Sequence, residues 1–151
     1  MKATDLKFRP ARREDVPLIL ALLRDDVLGQ GRESGDLASY LAAFDATEKE
    51  SQNRIYVGEI GGRVVATYQL TLISGLSLSA ARRALIEAVR VDVALRGQGA
   101  GAILMADAEA RARSGGASIM QLTSNAARKD AHRFYERLGY VPSHVGFKKA
   151  L

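Results

Sequence analysis

A chain of 151 residues, 47% hydrophobic and 26% charged, has the makeup of one globular domain and argues against extended disorder. It holds no cysteine and two histidines, which excludes disulfides, thiolate nucleophiles and cysteine-ligated metal clusters and makes a dedicated metal site an unpromising reading. The net charge of +5 is dispersed over pairs such as Arg12–Arg13, Arg82–Arg83 and Lys148–Lys149, so a small polyanionic ligand suits it better than nucleic acid.

Leu6 to Arg9 alternates apolar and basic residues and predicts a short first strand. Val16, Ile19, Leu20 and Leu23 fall on one helical face, and the glycine-rich stretch from Asp25 to Gly35 reads as a polar loop. Leu37, Tyr40, Leu41 and Phe44 predict a second helix. Arg54 to Ile60 and Arg63 to Ile73 read as a hairpin turning at Gly61–Gly62, and Ala84 to Val93 as the next strand. Gly99 to Ser114 predicts an alanine-rich helix, Ser118 to Thr123 a short strand, and Ala131, Phe134, Tyr135 and Leu138 a last amphipathic helix. Tyr140–Val141 and Gly146 to Lys149 suggest a closing hairpin. The order implies an α/β arrangement: a mixed, mostly antiparallel sheet with one β-α-β crossover and helices on both faces. No apolar run approaches the ~20 residues that span a bilayer, and the N-terminus lacks a signal peptide's apolar core. A cytoplasmic location is the expectation.

Arg96-Gly97-Gln98-Gly99-Ala100-Gly101 lies between a strand and a helix. Glycines there let the backbone approach a ligand, while free N–H groups, the helix dipole and an arginine attract phosphate. A nucleotide P-loop is excluded, because Ala102-Ile103 stands where Lys-Ser/Thr is required. The spacing from Gly97 to Ala102 formally fits a dinucleotide fingerprint, yet Ser118 to Asn125 brings no ribose-binding acid. A turn built for packing alone is the bland alternative.

The segment Arg96-x-x-Gly99-x-Gly101 resembles the pyrophosphate-binding motif of the GNAT N-acetyltransferase superfamily. Leu85-Ile86-Glu87 with Val91 resembles the strand before that motif. Ala131-His132-Arg133-Phe134-Tyr135-Glu136-Arg137-Leu138-Gly139-Tyr140 resembles the family's late helix. The resemblance runs in the right order over nearly the whole chain, residues 1–151, read as a single domain. It implies acetyl-CoA as cosubstrate, an amine acceptor and no metal. It also implies that the backbone of Val91 and Val93 pairs with the pantetheine arm, and that Arg96, Gly97, Gln98, Gly99, Ala100 and Gly101 wrap the pyrophosphate. Arg128 stands where the family commonly has asparagine, so either Asn125 reaches the cofactor or Arg128 faces its phosphates.

Transfer to an amine needs a base, a donor to the carbonyl oxygen and a proton for the leaving thiolate. Glu87 is the candidate base, its alternative being a strand acid that is simply exposed or is paired with Arg90 or Arg82. A backbone N–H near Val91 is the candidate oxyanion donor. Tyr135 matches the family's general acid, while its helical face also suits the core. Asp25, Asp26, Glu33 and Asp36 cluster where the fold builds an acceptor wall, and Ser74 to Arg83 is a second candidate wall. His132 is a solvated histidine or a neighbour of the adenosine end. The sequence leaves the acceptor and the oligomeric state open, although this fold often forms homodimers.

Overall fold

The computed structural model describes residues 1–25 and 27–151. Five strands form one sheet in sequence order: β1 (Lys7–Pro10), β2 (Asn53–Ile60), β3 (Arg63–Ile73), β4 (Arg83–Val91) and β5 (Ile119–Gln121). The first four run antiparallel, and β5 joins β4 in parallel. A parallel neighbour requires a crossover, supplied by helix α5 (Ala100–Ser114). The other helices are α1 (Val16–Arg24), α2 (Val27–Arg32), α3 (Leu37–Lys49), a one-turn segment α4 (Ser77–Ala80), and α6 (Lys129–Arg137).

The sheet is apolar on both faces. Tyr56 and Val57, consecutive in β2, pack against different cores, as the two-residue period of a strand dictates. One core joins Tyr68, Leu70, Ala84 and Ile86 to Leu104, Met105 and Ala108 of α5. The small side chains of α5 let it lie close to the sheet: a Cβ on Gly115 at its end would collide with Leu72 Cδ1. The second core joins Val57 and Val64 to Ile19 and Leu20 of α1 and Phe44 of α3. Asp15 is buried at 4% exposure before α1, where it takes two hydrogen bonds from Arg9 and one from the backbone N–H of Arg12.

The mixed, mostly antiparallel sheet, the hairpin and the crossover agree with the sequence reading, and three features differ from it. The predicted closing hairpin is absent: residues 138–151 form no strand, and Val145 and Phe147 are 78% and 92% exposed. Pro142 lacks a donor for a ladder, and Tyr140 donates its N–H to Tyr135 O instead. Within the expected glycine-rich loop, Val27–Arg32 is helical, and Arg24 bridges to the carbonyls of Glu33 and Gly35 beyond it. Val93 lies outside β4, in a 3-10 turn over Val93–Leu95. Asp26, one of the four candidate acceptor-wall acids, falls outside the described residues.

Candidate active site

The pairing of β4 with β5 is short. It covers Arg83–Ile119, Ala84–Met120 and Leu85–Gln121 and then stops, while β4 runs on to Val91. Among the described residues, the far half of β4 therefore has no strand beside it on that edge. Asp92 donates its N–H to Val65 O in β3. Successive N–H groups of a strand alternate sides, so that of Val91 points into the gap. A bulge accompanies the divergence: the register with β3 shifts between Thr67 and Gln69, and Ala88 adopts φ 52°.

The glycine turn stands at the mouth of this gap. Gly97 and Gly99 both have φ 78°, and a Cβ on either would meet nothing within 4 Å. Only glycine holds that conformation without strain. The N–H groups of Gly97, Gly99, Ala100, Gly101 and Ala102 make no hydrogen bond among the described residues. They sit at the positive end of a fifteen-residue helix, with the exposed, unpaired Arg96 beside them. Aligned free donors, a helix dipole and a guanidinium fit a pyrophosphate. Gln98 is the exception within the predicted set: its N–H goes to Leu95 O, and its side chain accepts from Ala3 N–H. It braces the turn against the N-terminal segment.

Tyr135 on α6 is partly buried, with Phe134 and Tyr140 packed edge-on at 5.0 and 6.0 Å between ring centroids. Its hydroxyl makes no hydrogen bond among the described residues. Burial pushes its pKa above the ordinary value, and the charges of Arg128 and Arg90 partly oppose that. Core packing and a free hydroxyl thus coexist in one residue. Glu87 is exposed on β4, opposite Gln69. Arg82, one of its two candidate partners, instead reaches Gly115 O, Ser74 Oγ and Gln52 Oε1.

Asn125 Oδ1 accepts from Ala127 N–H, and its carbonyl lies 2.9 Å from His132 Nε2, so both groups shape the turn leading into α6. A groove of about 980 Å³ opens beside β5, lined by Tyr135, Arg83, Leu78, Ser124 and residues 141–146 among others. The Ser124 hydroxyl is buried in it without a partner among the described residues. Leu78, Ser79 and Ala80 on its rim hold a left-handed turn with φ of 57–59°, a conformation that costs about 1–2 kcal/mol per residue. The bulge at Ala88 and this turn have no sequence signal, because neither uses glycine or asparagine. Arg83 was legible only as half of a dispersed basic pair.

A mixed sheet whose parallel strands diverge beside a glycine-lined helix N-terminus defines an acyl-CoA-type transferase fold. The acetyltransferase (GNAT) family pattern matches residues 19–140, and the chain belongs to that family. It is similar over 97% of its length to a Bacillus halodurans C-125 structure described as a transcriptional regulator. The two share 38% identity at a TM-score of 0.91, with 99% of that chain covered. A Trypanosoma brucei acetyltransferase structure shares 26% identity at a TM-score of 0.77, covering 97% of this chain and all of that one. An aminoalkylphosphonate N-acetyltransferase of Salmonella typhimurium is 53% identical over 57 residues, 38% of this chain and 37% of the relative's length. Membership of this family implies acetyl-CoA as the donor. Among the described residues, no helix is long and apolar enough to cross a membrane, and no cluster of three His, Asp or Glu could hold a metal.

Proposed function

We propose that residues 1–151 act as one domain that transfers acetyl from acetyl-CoA to a primary amine by direct attack in a ternary complex. The observation that carries this reading is the open edge of β4 running into a turn with five unpaired N–H groups. Acetyl-CoA, when bound, supplies an acetyl thioester, an activated acyl group on a good leaving group. Gly97, Gly99, Ala100, Gly101 and Arg96 hold the pyrophosphate, and the N–H and C=O of Val91 hold the pantetheine arm. In this reading the Val93 backbone and either Asn125 or Arg128 add further contacts to the cofactor.

Glu87, directly or through a water, takes the proton of the attacking nitrogen, since an alkylamine is mostly protonated at neutral pH. A backbone N–H near Val91 donates to the carbonyl oxygen as negative charge builds there, an effect worth about 3 kcal/mol per donor in other enzymes. Tyr135 gives its proton to the departing sulfur as the C–S bond breaks, and the second proton shed by the nitrogen on forming the amide replaces it. Its raised pKa keeps it protonated at neutral pH. The partial likeness to the aminoalkylphosphonate enzyme makes short aminophosphonates the first acceptors to assay.

A second reading, a cofactor-sensing module without turnover, draws on the Bacillus halodurans relative's description as a regulator. Free-thiol release from acetyl-CoA in the presence of an amine panel separates the two. Amine-dependent thiol release supports the enzyme. Saturable acetyl-CoA binding without release on any amine supports the sensor.

A further inference from the structure

We infer that the acceptor is a short primary amine bearing an oxyanion, anchored by Arg83. This inference rests on the proposed transfer at Glu87 and Tyr135 and names the class of amine taken there. Arg83, Leu85 and Glu87 alternate along β4 before its bulge, so the side chains of Arg83 and Glu87 share a sheet face. The guanidinium of Arg83 does not stand over its own residue: Nη1 donates to Gln121 Oε1 at 2.8 Å. Gln121 is in register with Leu85, two residues further along. The bond ties the positive charge to the edge strand β5, on the face that Arg83 shares with Glu87.

Charge in the groove points the same way. Arg83 lines it with Tyr135 and meets no carboxylate among the described residues. Of the other ionisable groups that line the groove, Arg113 is near Glu109, His132 is held at the Asn125 carbonyl, His144 meets the Ser143 hydroxyl, and Glu136 stands on its α6 side. Gln121 is a neutral partner, leaving the rest of the guanidinium fork for a ligand's phosphonate or carboxylate. An amine near Glu87 and an oxyanion at Arg83 are then separated by two to four carbons. A long cationic acceptor would set a positive charge against Arg83.

The test compares acetylation of 2-aminoethylphosphonate, 3-aminopropanoate, propylamine and spermidine by wild type, Arg83→Met and Arg83→Lys. Wild type should favour the two oxyanion amines. Arg83→Met should raise their KM by about 10–100-fold, the worth of a charged hydrogen-bond partner, while kcat and the rate with propylamine stay within threefold. Arg83→Lys should recover part of the loss, and the order of the two acids tells phosphonate from carboxylate preference. If Arg83 only ties β4 to β5, Arg83→Met lowers activity on every amine alike together with the melting temperature, which overturns the inference. A preference for propylamine or spermidine overturns it too, as does transfer to none of the four by a chain that binds acetyl-CoA. Failure of wild type to bind acetyl-CoA strikes instead at the transfer reading beneath it.

Discussion

Gly101 and Phe134 stand so close that a Cβ on the glycine would come within 3.0 Å of the ring's Cζ. One belongs to the first turn of α5, at the glycine turn; the other precedes Tyr135 on α6. The helix that carries the candidate acid is therefore seated directly on the helix proposed to hold the pyrophosphate. Gly101→Ala should press on Phe134 and destabilise the fold by about 1–2 kcal/mol, as overpacking does. It should also lower kcat more than it weakens cofactor binding. Thermal melts and steady-state kinetics check both, and an unchanged kcat would separate the two helices functionally.

Tyr135→Phe removes a hydroxyl that makes no internal hydrogen bond, so stability should change by under about 1 kcal/mol. Turnover should fall by about 100-fold with KM little altered, in the range of a lost general acid. Because the tyrosine's pKa is raised, its protonated form persists above pH 10 in the folded state. Any alkaline loss of kcat that disappears in Tyr135→Phe should therefore lie above pH 10. A limb near neutral pH assigned to Tyr135 by that comparison contradicts the acid role.

Glu87→Gln keeps shape and exposure while removing the base. It should leave the melting temperature unchanged and reduce kcat/KM by about 100-fold at neutral pH. The deficit should shrink with acceptors whose amines are already neutral at the assay pH. An equal deficit across amines of different basicity would argue that Glu87 binds rather than deprotonates.

Asp15 yields a stability prediction independent of catalysis. Burial pushes its pKa up, but the hydrogen bonds from Arg9 and the Arg12 N–H outweigh burial and hold it below the usual carboxylate value. A depressed folded-state pKa stabilises the protein above the unfolded value of 3.8, and that contribution is lost as pH falls through the folded value. Asp15→Asn should cost about 2–4 kcal/mol at pH 7, below the full penalty of a broken buried pair because Arg9 is 22% exposed. The gap between wild-type and variant melting temperatures should narrow below pH 4. A gap that persists there would mean the loss comes from packing.

The legible parts were those where local pattern and tertiary environment agree. Arg63 to Ile73 is a strand by composition and lies at the centre of the sheet, and its limits match β3. Val16, Ile19 and Leu20 repeat at helical spacing because α1 has one buried side. The glycine turn was readable because φ 78° at Gly97 and Gly99 requires the residue type present. The missed features depend on partners distant in sequence or on a locally disfavoured backbone. Val27–Arg32 is helical despite Gly29 and Gly31, and the chain on either side is fastened by Arg24. Ala88 takes a positive φ to accommodate the bulge opposite Tyr68, which nothing in its own identity announces. The lean of Arg83 toward Gln121 is set by a strand 38 residues away. Val145 and Phe147 have a strand-like pattern, but they find no paired strand and stay exposed.

The most direct test of the account is calorimetric titration of the chain with acetyl-CoA, alongside Gly99→Glu. At Gly99 a Cβ meets no neighbour, so the substitution adds about 1–2 kcal/mol of backbone strain and a charge at the cradle without crowding the core. The account predicts saturable micromolar binding by wild type and its loss in a variant that still melts cooperatively. Binding that survives Gly99→Glu, or a folded wild type that takes up no acetyl-CoA, would contradict the proposed site.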